Sequence, residues 1–335
     1  MHGKTLVIQN LQGIGDTMWF VRHFQAIAQK TPSKTISVLT RPRSMADQIL
    51  QYDPNIDQVL WLDIKGGQHD GFFGTVRLAQ LIRAHGFESV WILHSRSLRY
   101  AVACRLAGVK HIYGPGIGVQ KFLLTENPML EGSEQTEHPI LRGTRLLEKQ
   151  GLKLSDKKGP LCLGSLEKKW AQDIVKDFPK PWVGLGVASS ETHKKWSWES
   201  YVELAKSIHK KSRGSFFIMG GPMETKEAES IFRALKEEGI ASFASTGQTI
   251  SESLALLSEL DLIVSNDTGI LHAAPMVGTK GLVLLGKTQV PIHHYAPVEG
   301  LHLSEDEKPQ GNSNDLSQLS SKRVMEKLLD LEWVL

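Results

Sequence analysis

Residues 265–274 read Ser265-Asn266-Asp267-Thr268-Gly269-Ile270-Leu271-His272-Ala273-Ala274 and follow the short apolar run Leu262 to Val264. The run has the length and composition of a buried strand, and the residues after Gly269 can start a helix. A strand, a tight polar turn and a helix together suit phosphate binding. The first N–H groups of the helix have no intrahelical partner, and the dipole favours negative charge there. Asp267 points elsewhere: a carboxylate repels a phosphate, so it is better placed to grip neutral hydroxyls, such as those of a sugar. The stretch thus suggests a site for a sugar joined to a phosphate.

Outward from this stretch, strands alternate with helices. Strands are expected at 5–9, 35–39, 58–62, 89–93 and 110–113. Helical spacing covers 17–29, 45–51, 73–84, 98–106 (ending at Gly108) and 139–149. A polar stretch at 153–160 has the composition of a linker. The pattern then restarts, with strands at 182–185, 215–219, 262–265 and 281–285 and helices at 166–175, 198–211, 224–238 and 251–259. This alternation predicts parallel sheets covered on both faces. The fold class is α/β: two Rossmann-like domains, 1–158 and 159–319, facing a cleft. An amphipathic segment, 320–335, is expected to pack back towards the first. The polar residues 305–316 read as a surface loop.

Composition sets the outer limits. A chain of 335 residues exceeds a comfortable single core, which agrees with two domains. Thirty-nine basic and 36 acidic side chains give a net charge of +3, too mild for a nucleic-acid protein but compatible with anionic substrates or an anionic membrane surface. Cys104 and Cys162 sit in apolar surroundings without metal-ligand spacing, and read as buried thiols of a reducing cytoplasm. Lys4 and Thr5 lead straight into a strand, with no signal-peptide pattern, and no apolar run approaches the ~20 residues that cross a bilayer. The expected location is the cytoplasm, at most peripheral to a membrane.

Four constellations can carry chemistry. Gly13-Ile14-Gly15-Asp16-Thr17 follows the first strand, where glycines allow close backbone approach to a ligand. No third glycine completes a dinucleotide fingerprint. Asp16 reads either as a functional acid or as the N-cap of a helix starting at Thr17. Val187-Ala188-Ser189-Ser190-Glu191-Thr192-His193-Lys194-Lys195-Trp196 offers hydroxyls and a lysine to a diphosphate, or is a solvated loop ahead of a helix capped near Ser197. In Gly220-Gly221-Pro222-Met223-Glu224, Glu224 either accepts hydrogen bonds from a ribose diol or simply occupies a first helical turn. The fourth is the opening stretch, in which His272 can be read simply as a helix residue bonded to backbone. No metal-ligand set stands out, and His293-His294 reads as an exposed pair.

In this order, Gly-x-Gly-Asp, Ser-Ser-x(3)-Lys-x-Trp, Gly-Gly-Pro-x-Glu and Asn-Asp-Thr-Gly-x-x-His, the chain resembles glycosyltransferase family 9, the ADP-heptose:lipopolysaccharide heptosyltransferases and their relatives, over nearly its whole length. The resemblance implies a GT-B fold with the acceptor on the N-terminal domain and the nucleotide sugar on the C-terminal one. It implies that Asp16 is the catalytic base. Ser189, Ser190 and Lys194 would hold the donor diphosphate, and Glu224 the adenosine ribose. Asp267 would hold heptose hydroxyls, with Thr268 and Gly269 at the phosphate and His272 close by. Gly13 and Gly15, with Arg96 and Arg99, fall on the acceptor side. Arg41, Arg43, Arg105 and Lys110 are further basic residues that could meet an anionic glycolipid. Two departures stand out: Ser197 where relatives often have proline, and Gly286-Lys287-Thr288 where they often have Gly-Pro-Thr. The implied reaction is one inverting displacement from ADP-heptose to a hydroxyl of a lipopolysaccharide inner-core acceptor, with no metal or other cofactor. The other readings are a transferase using another nucleotide sugar, a nucleotide-sugar epimerase, a nicotinamide oxidoreductase lacking its fingerprint, and a non-catalytic sugar-nucleotide or glycolipid binder.

Overall fold

Leu6, Val7 and Ile8 are wholly buried, as expected of a central parallel strand covered on both faces. They belong to β1 (Lys4–Ile8). It is joined by β2 (Ile36–Thr40), β3 (Ile56–Trp61), β4 (Phe87–Ile92) and β5 (His111–Tyr113) in an all-parallel sheet ordered β3-β2-β1-β4-β5. The computed structural model describes residues 3–64, 66–155, 159–189, 194–285, 297–303 and 316–334. Helices α1 (Ile14–Lys30), α2 (Ala46–Ile49), α3 (Gly71–Ala84) and α4 (Leu98–Ala107) connect successive strands, and α5 (Pro139–Lys149) follows them. Gly108 ends α4 in the left-handed region, φ +80°, where a glycine is favoured. The chain builds β2 and β3 on one side of β1 and β4 and β5 on the other. The loops after β1 and β4 therefore meet at the switch point where open α/β sheets bind ligands.

The second half repeats the plan. It comprises β6 (Trp182–Gly186), β7 (Ser215–Met219), β8 (Ser242–Ser245), β9 (Leu262–Asn266), β10 (Lys280–Leu285) and β11 (Val298–His302), all parallel, ordered β11-β10-β9-β6-β7-β8. Its helices are α6 (Ser165–Val175), α7 (Trp198–Ser212), α8 (Thr225–Glu237), α9 (Ile250–Glu259), α10 (Gly269–Val277) and α11 (Ser321–Asp330). Here the switch point lies between β6 and β9. The chain divides into two compact units, Met1–Lys157 and Lys158–Leu335, within the polar stretch read as a linker.

Several expectations change. Strands β8 and β11 were not expected; both are outer strands whose partly exposed residues break the apolar run that marks a buried strand. Helix α1 starts at Ile14 with Gly13 as N-cap, so Asp16 is its third residue and not the cap. The terminal segment, expected to pack back towards the first half, places Val324 and Leu328 of α11 in the core of the second unit, with α7 residues Leu204, Ala205 and Ile208. Cys104 is buried, which pushes its thiol up to about 12, whereas Cys162 is only half-buried. The Gly286-Lys287-Thr288 departure, the His293-His294 pair and most of the 305–316 loop lie outside the described residues.

Candidate active site

The end of β9 is sewn to the loop after β6 by one amide. Asn266, with no exposed surface, accepts the Trp196 N–H on Oδ1 at 3.0 Å, and its Nδ2 donates to the carbonyls of Val187 at 3.2 Å and Ala188 at 3.3 Å. Both ends of the loop that carries Ser189 and Lys194 are thereby held at the switch point. Trp196 anchors it further: its indole N–H donates to the Leu319 carbonyl at 2.7 Å and its ring packs edge-on against Tyr201, centroids 4.8 Å apart. The Gly186 carbonyl receives both Tyr201 Oη at 2.8 Å and Ser265 Oγ at 3.2 Å. A Cβ at Gly186 would lie 2.2 Å from Ser265 Oγ, so only glycine lets the ends of β6 and β9 come this close.

On this frame Asp267 sits between a histidine and a lysine. Its Oδ1 lies 3.3 Å from His272 Nε2, and its Oδ2 lies 3.7 Å from Lys194 Nζ, an ion pair beyond hydrogen-bond range. Burial alone would raise the Asp267 carboxyl. The hydrogen bond and charge of His272, reinforced by Lys194, outweigh it and hold the group below the usual carboxylate range. Thr268 is the N-cap of α10, and its hydroxyl lies 3.5 Å from Ser265 Oγ. Its carbonyl takes the N–H groups of Leu271 and His272, leaving those of Gly269 and Ile270 at the open start of the helix. Asp267, His272 and Lys194 thus converge beside a helix N-terminus. The half-buried Ser189 stands on the same loop as Lys194, and Ser190 lies outside the described residues.

Glu224, after β7, is 9% exposed and turns Oε2 back onto the Gly221 N–H at 3.0 Å. The first unit uses the same device: Asp16 Oδ2 accepts the Gly13 N–H at 2.7 Å. Each acid is fixed by one oxygen to the amide that opens its own helical turn, which orients the carboxylate at the carboxyl edge of its sheet. Gly15 lies in the first turn of α1. Arg41 reaches Gln12 of the same loop, Nη1 to Oε1 at 3.4 Å, and Thr17 Oγ1 donates to the Ser44 carbonyl at 3.0 Å.

The other basic residues divide. Exposed Arg96 donates to the Gln135 carbonyl at 2.8 Å at the end of the β4 loop. Arg99 is committed to Asp70 and the His69 carbonyl, both at 2.7 Å, and so acts as a clamp between loops. Arg105 Nε donates to the Leu123 carbonyl, and Lys110 pairs with Glu88 at 3.0 Å at the opposite, amino edge of the sheet, away from the Asp16 loop. Arg43 is exposed.

Sequence reading gave no role to Asn266, Gly186, His94 or Arg142. The first two carried a signal, a buried-type amide and a glycine at strand ends. His94, stacked on Phe20 with centroids 5.1 Å apart, is pushed down to about 3 by burial and then by the positive charges of Arg142, His23 and His138. Arg142 on α5 is nearly buried beside Arg96, and its position depends on tertiary packing alone. Among the described residues, no three His, Cys, Asp or Glu side chains are grouped to hold a metal ion.

The model of glycosyltransferase family 9 (heptosyltransferase) matches residues 75–305, which include the Asp267 site and leave out the Asp16 loop. The lipopolysaccharide core heptosyltransferase OpsX of Haemophilus influenzae is 23% identical over 282 residues, 82% of this chain and 77% of that protein. Among solved structures, the ADP-heptose lps heptosyltransferase II of E. coli superposes with a TM-score of 0.72 at 19% identity, covering 98% of each chain. A glycosyltransferase family 9 protein of Veillonella parvula gives 0.75 at 19% identity, covering 98% of this chain and 97% of that one. With its two parallel-sheet units and these neighbours the chain has the GT-B fold, and it belongs to glycosyltransferase family 9, the heptosyltransferase family, as an enzyme of glycosyl transfer.

Proposed function

We propose that the protein transfers a heptose from ADP-heptose to a hydroxyl of an anionic glycolipid, the inner core of lipopolysaccharide, at the cytoplasmic face of the membrane. The observation that carries this reading is Asp267, ionised and held between Lys194 and His272 at the start of α10. A carboxylate held by a lysine and a histidine can accept sugar hydroxyls while the lysine and the helix N–H groups meet a diphosphate. The second unit takes the donor, with Glu224 on the adenosine ribose and Ser189 and Ser190 on the diphosphate. The names of the relatives, a lipopolysaccharide core heptosyltransferase and an ADP-heptose enzyme, support the substrate pair.

The first unit takes the acceptor. Asp16 removes the proton of the attacking hydroxyl as the new bond forms, a role worth about 10²–10⁴ in rate. Attack and departure occur in one displacement, so the anomeric configuration inverts. Negative charge building on the departing ADP is met by Lys194 and the α10 N–H groups, so no metal is required. The test is calorimetric titration with ADP, UDP, GDP and NAD in chelator, followed by a transfer assay with ADP-heptose. Selective ADP binding and chelator-resistant transfer are expected. Selective UDP or GDP binding would overturn the donor assignment, and loss of transfer in chelator would overturn the metal-free mechanism.

A further inference from the structure

Five large apolar side chains at the carboxyl edge of the first unit's sheet stand in water. Phe72 and Phe73 open α3 and are 79% and 76% exposed; Leu98 opens α4 at 39%; Val119 and Phe122, on the 3₁₀ turn Gly118–Phe122, are 64% and 74% exposed. Defined bonds bring the three segments together around the start of α4. Arg99 in its first turn donates to Asp70 and to the His69 carbonyl, just ahead of Phe72. Gln120 Nε2 donates to the carbonyls of Ser95 at 3.0 Å and Ser97 at 3.2 Å, just ahead of Leu98. The phenyl rings of Phe72 and Phe73 meet edge to face, centroids 5.6 Å apart, so the pair is held as a unit.

Basic residues border these side chains. Lys121 Nζ lies 5.1 Å from the Phe122 ring, exposed Arg77 lies on α3, and Arg96 and Arg99 border α4, while Asp70 is already paired with Arg99. This face lies on the carboxyl edge of the sheet, as does the Asp16 loop. Clustered aromatics in water mark a contact surface. Side chains this exposed protrude, and protruding rings enter a yielding surface more readily than a rigid one. Aromatic tips among lysine and arginine match the headgroup region of an anionic bilayer.

We propose that this face docks the protein on an anionic lipid bilayer, with Phe72, Phe73 and Phe122 inserted among the headgroups and Lys121, Arg77 and Arg96 against lipid phosphates. The proposal deepens the glycolipid-acceptor reading and rests on it: a docked first unit meets a sugar headgroup whose lipid stays in the membrane.

The test floats the full chain with vesicles of phosphatidylethanolamine and phosphatidylglycerol, free of lipopolysaccharide, and with phosphatidylcholine vesicles. Parent protein is expected to float with the anionic vesicles. The F72S/F73S/F122S variant is expected to lose about tenfold or more in partitioning. The F72L/F73L/F122L variant should keep most of it, and K121E should weaken binding to the anionic vesicles only. An unchanged melting temperature in the serine variant shows that the fold is kept. Its turnover on a deacylated, water-soluble acceptor should match the parent's. A parent that does not float, a serine variant that floats like the parent, or a parent dimer that the serine variant dissociates would each overturn the docking surface. If vesicles bind as expected while no heptose is transferred, the proposed reaction fails and the surface stands.

Discussion

At the scale of single residues, charge and burial decide what each candidate can do. Lys194→Ala removes the lysine paired with Asp267, and a charge-assisted hydrogen bond is worth about 1.5–3 kcal/mol, so ADP affinity should fall by roughly 10- to 100-fold in calorimetry. Asp16→Asn keeps an oxygen for the Gly13 N–H and removes the base; kcat should drop by about 10²–10⁴ while ADP binds as before. Weakened ADP binding in that variant would count against Asp16 as the base. His94 gives a pH signature. Its folded value of about 3 lies below the ordinary 6.5, so between those limits the unfolded chain binds a proton that the folded chain does not. Stability therefore falls as pH drops through this window, by up to about 1.4 kcal/mol per pH unit. Denaturant midpoints of His94→Gln should fall less steeply from pH 6.5 to 4 than those of the parent. Asp16, Lys194, Glu224 and Asp267 could be singled out as candidates because their motifs follow strands. His94 and Arg142 were not, since only the packing of α1, α5 and β4 makes them neighbours.

At the scale of elements, the second site depends on how β6 and β9 end. Asn266→Ala would leave the Trp196 N–H and two carbonyls without their partner, at a cost of about 1–3 kcal/mol for each group left buried and unpaired. It should also weaken ADP binding by releasing the loop that holds Lys194. Equilibrium unfolding and ADP titration of this variant check both effects, and unaltered ADP affinity would remove Asn266 from the positioning of the site. The elements themselves were readable where periodicity was strong: α5 over 139–149 and β7 over 215–219 match their expected spans. The start of α1 was misplaced because a glycine N-cap carries no side-chain signal, and Asp16 reaches back to that cap from the third position. Strands β8 and β11 escaped because an outer strand borrows its order from its neighbour and shows no run of its own.

At the scale of the whole molecule, each unit has buried apolar packing of its own. A ligand that binds one unit stabilises that unit by RT ln(1 + [L]/Kd), about 2.7 kcal/mol at a hundredfold excess over Kd. Calorimetric scans with ADP should therefore raise the transition that reports the second unit; a rise confined to the first would reverse the proposed division of labour. Helix α11 is part of the second unit: its Val324 and Leu328 lie in that unit's core, and the Leu319 carbonyl just before it receives the Trp196 indole N–H. The α/β alternation, the two-fold repetition of the plan and the candidate acids and lysine could all be read in one dimension, because strand periodicity, helix caps and turn chemistry are local properties. Tertiary structure alone decided the strand order that creates a switch point in each sheet, the Asn266 bridge across the second one, the charge balance around Asp267, the burial of His94 and the unit to which α11 belongs. These depend on which distant residues share a low-dielectric interior, and spacing along the chain does not encode that.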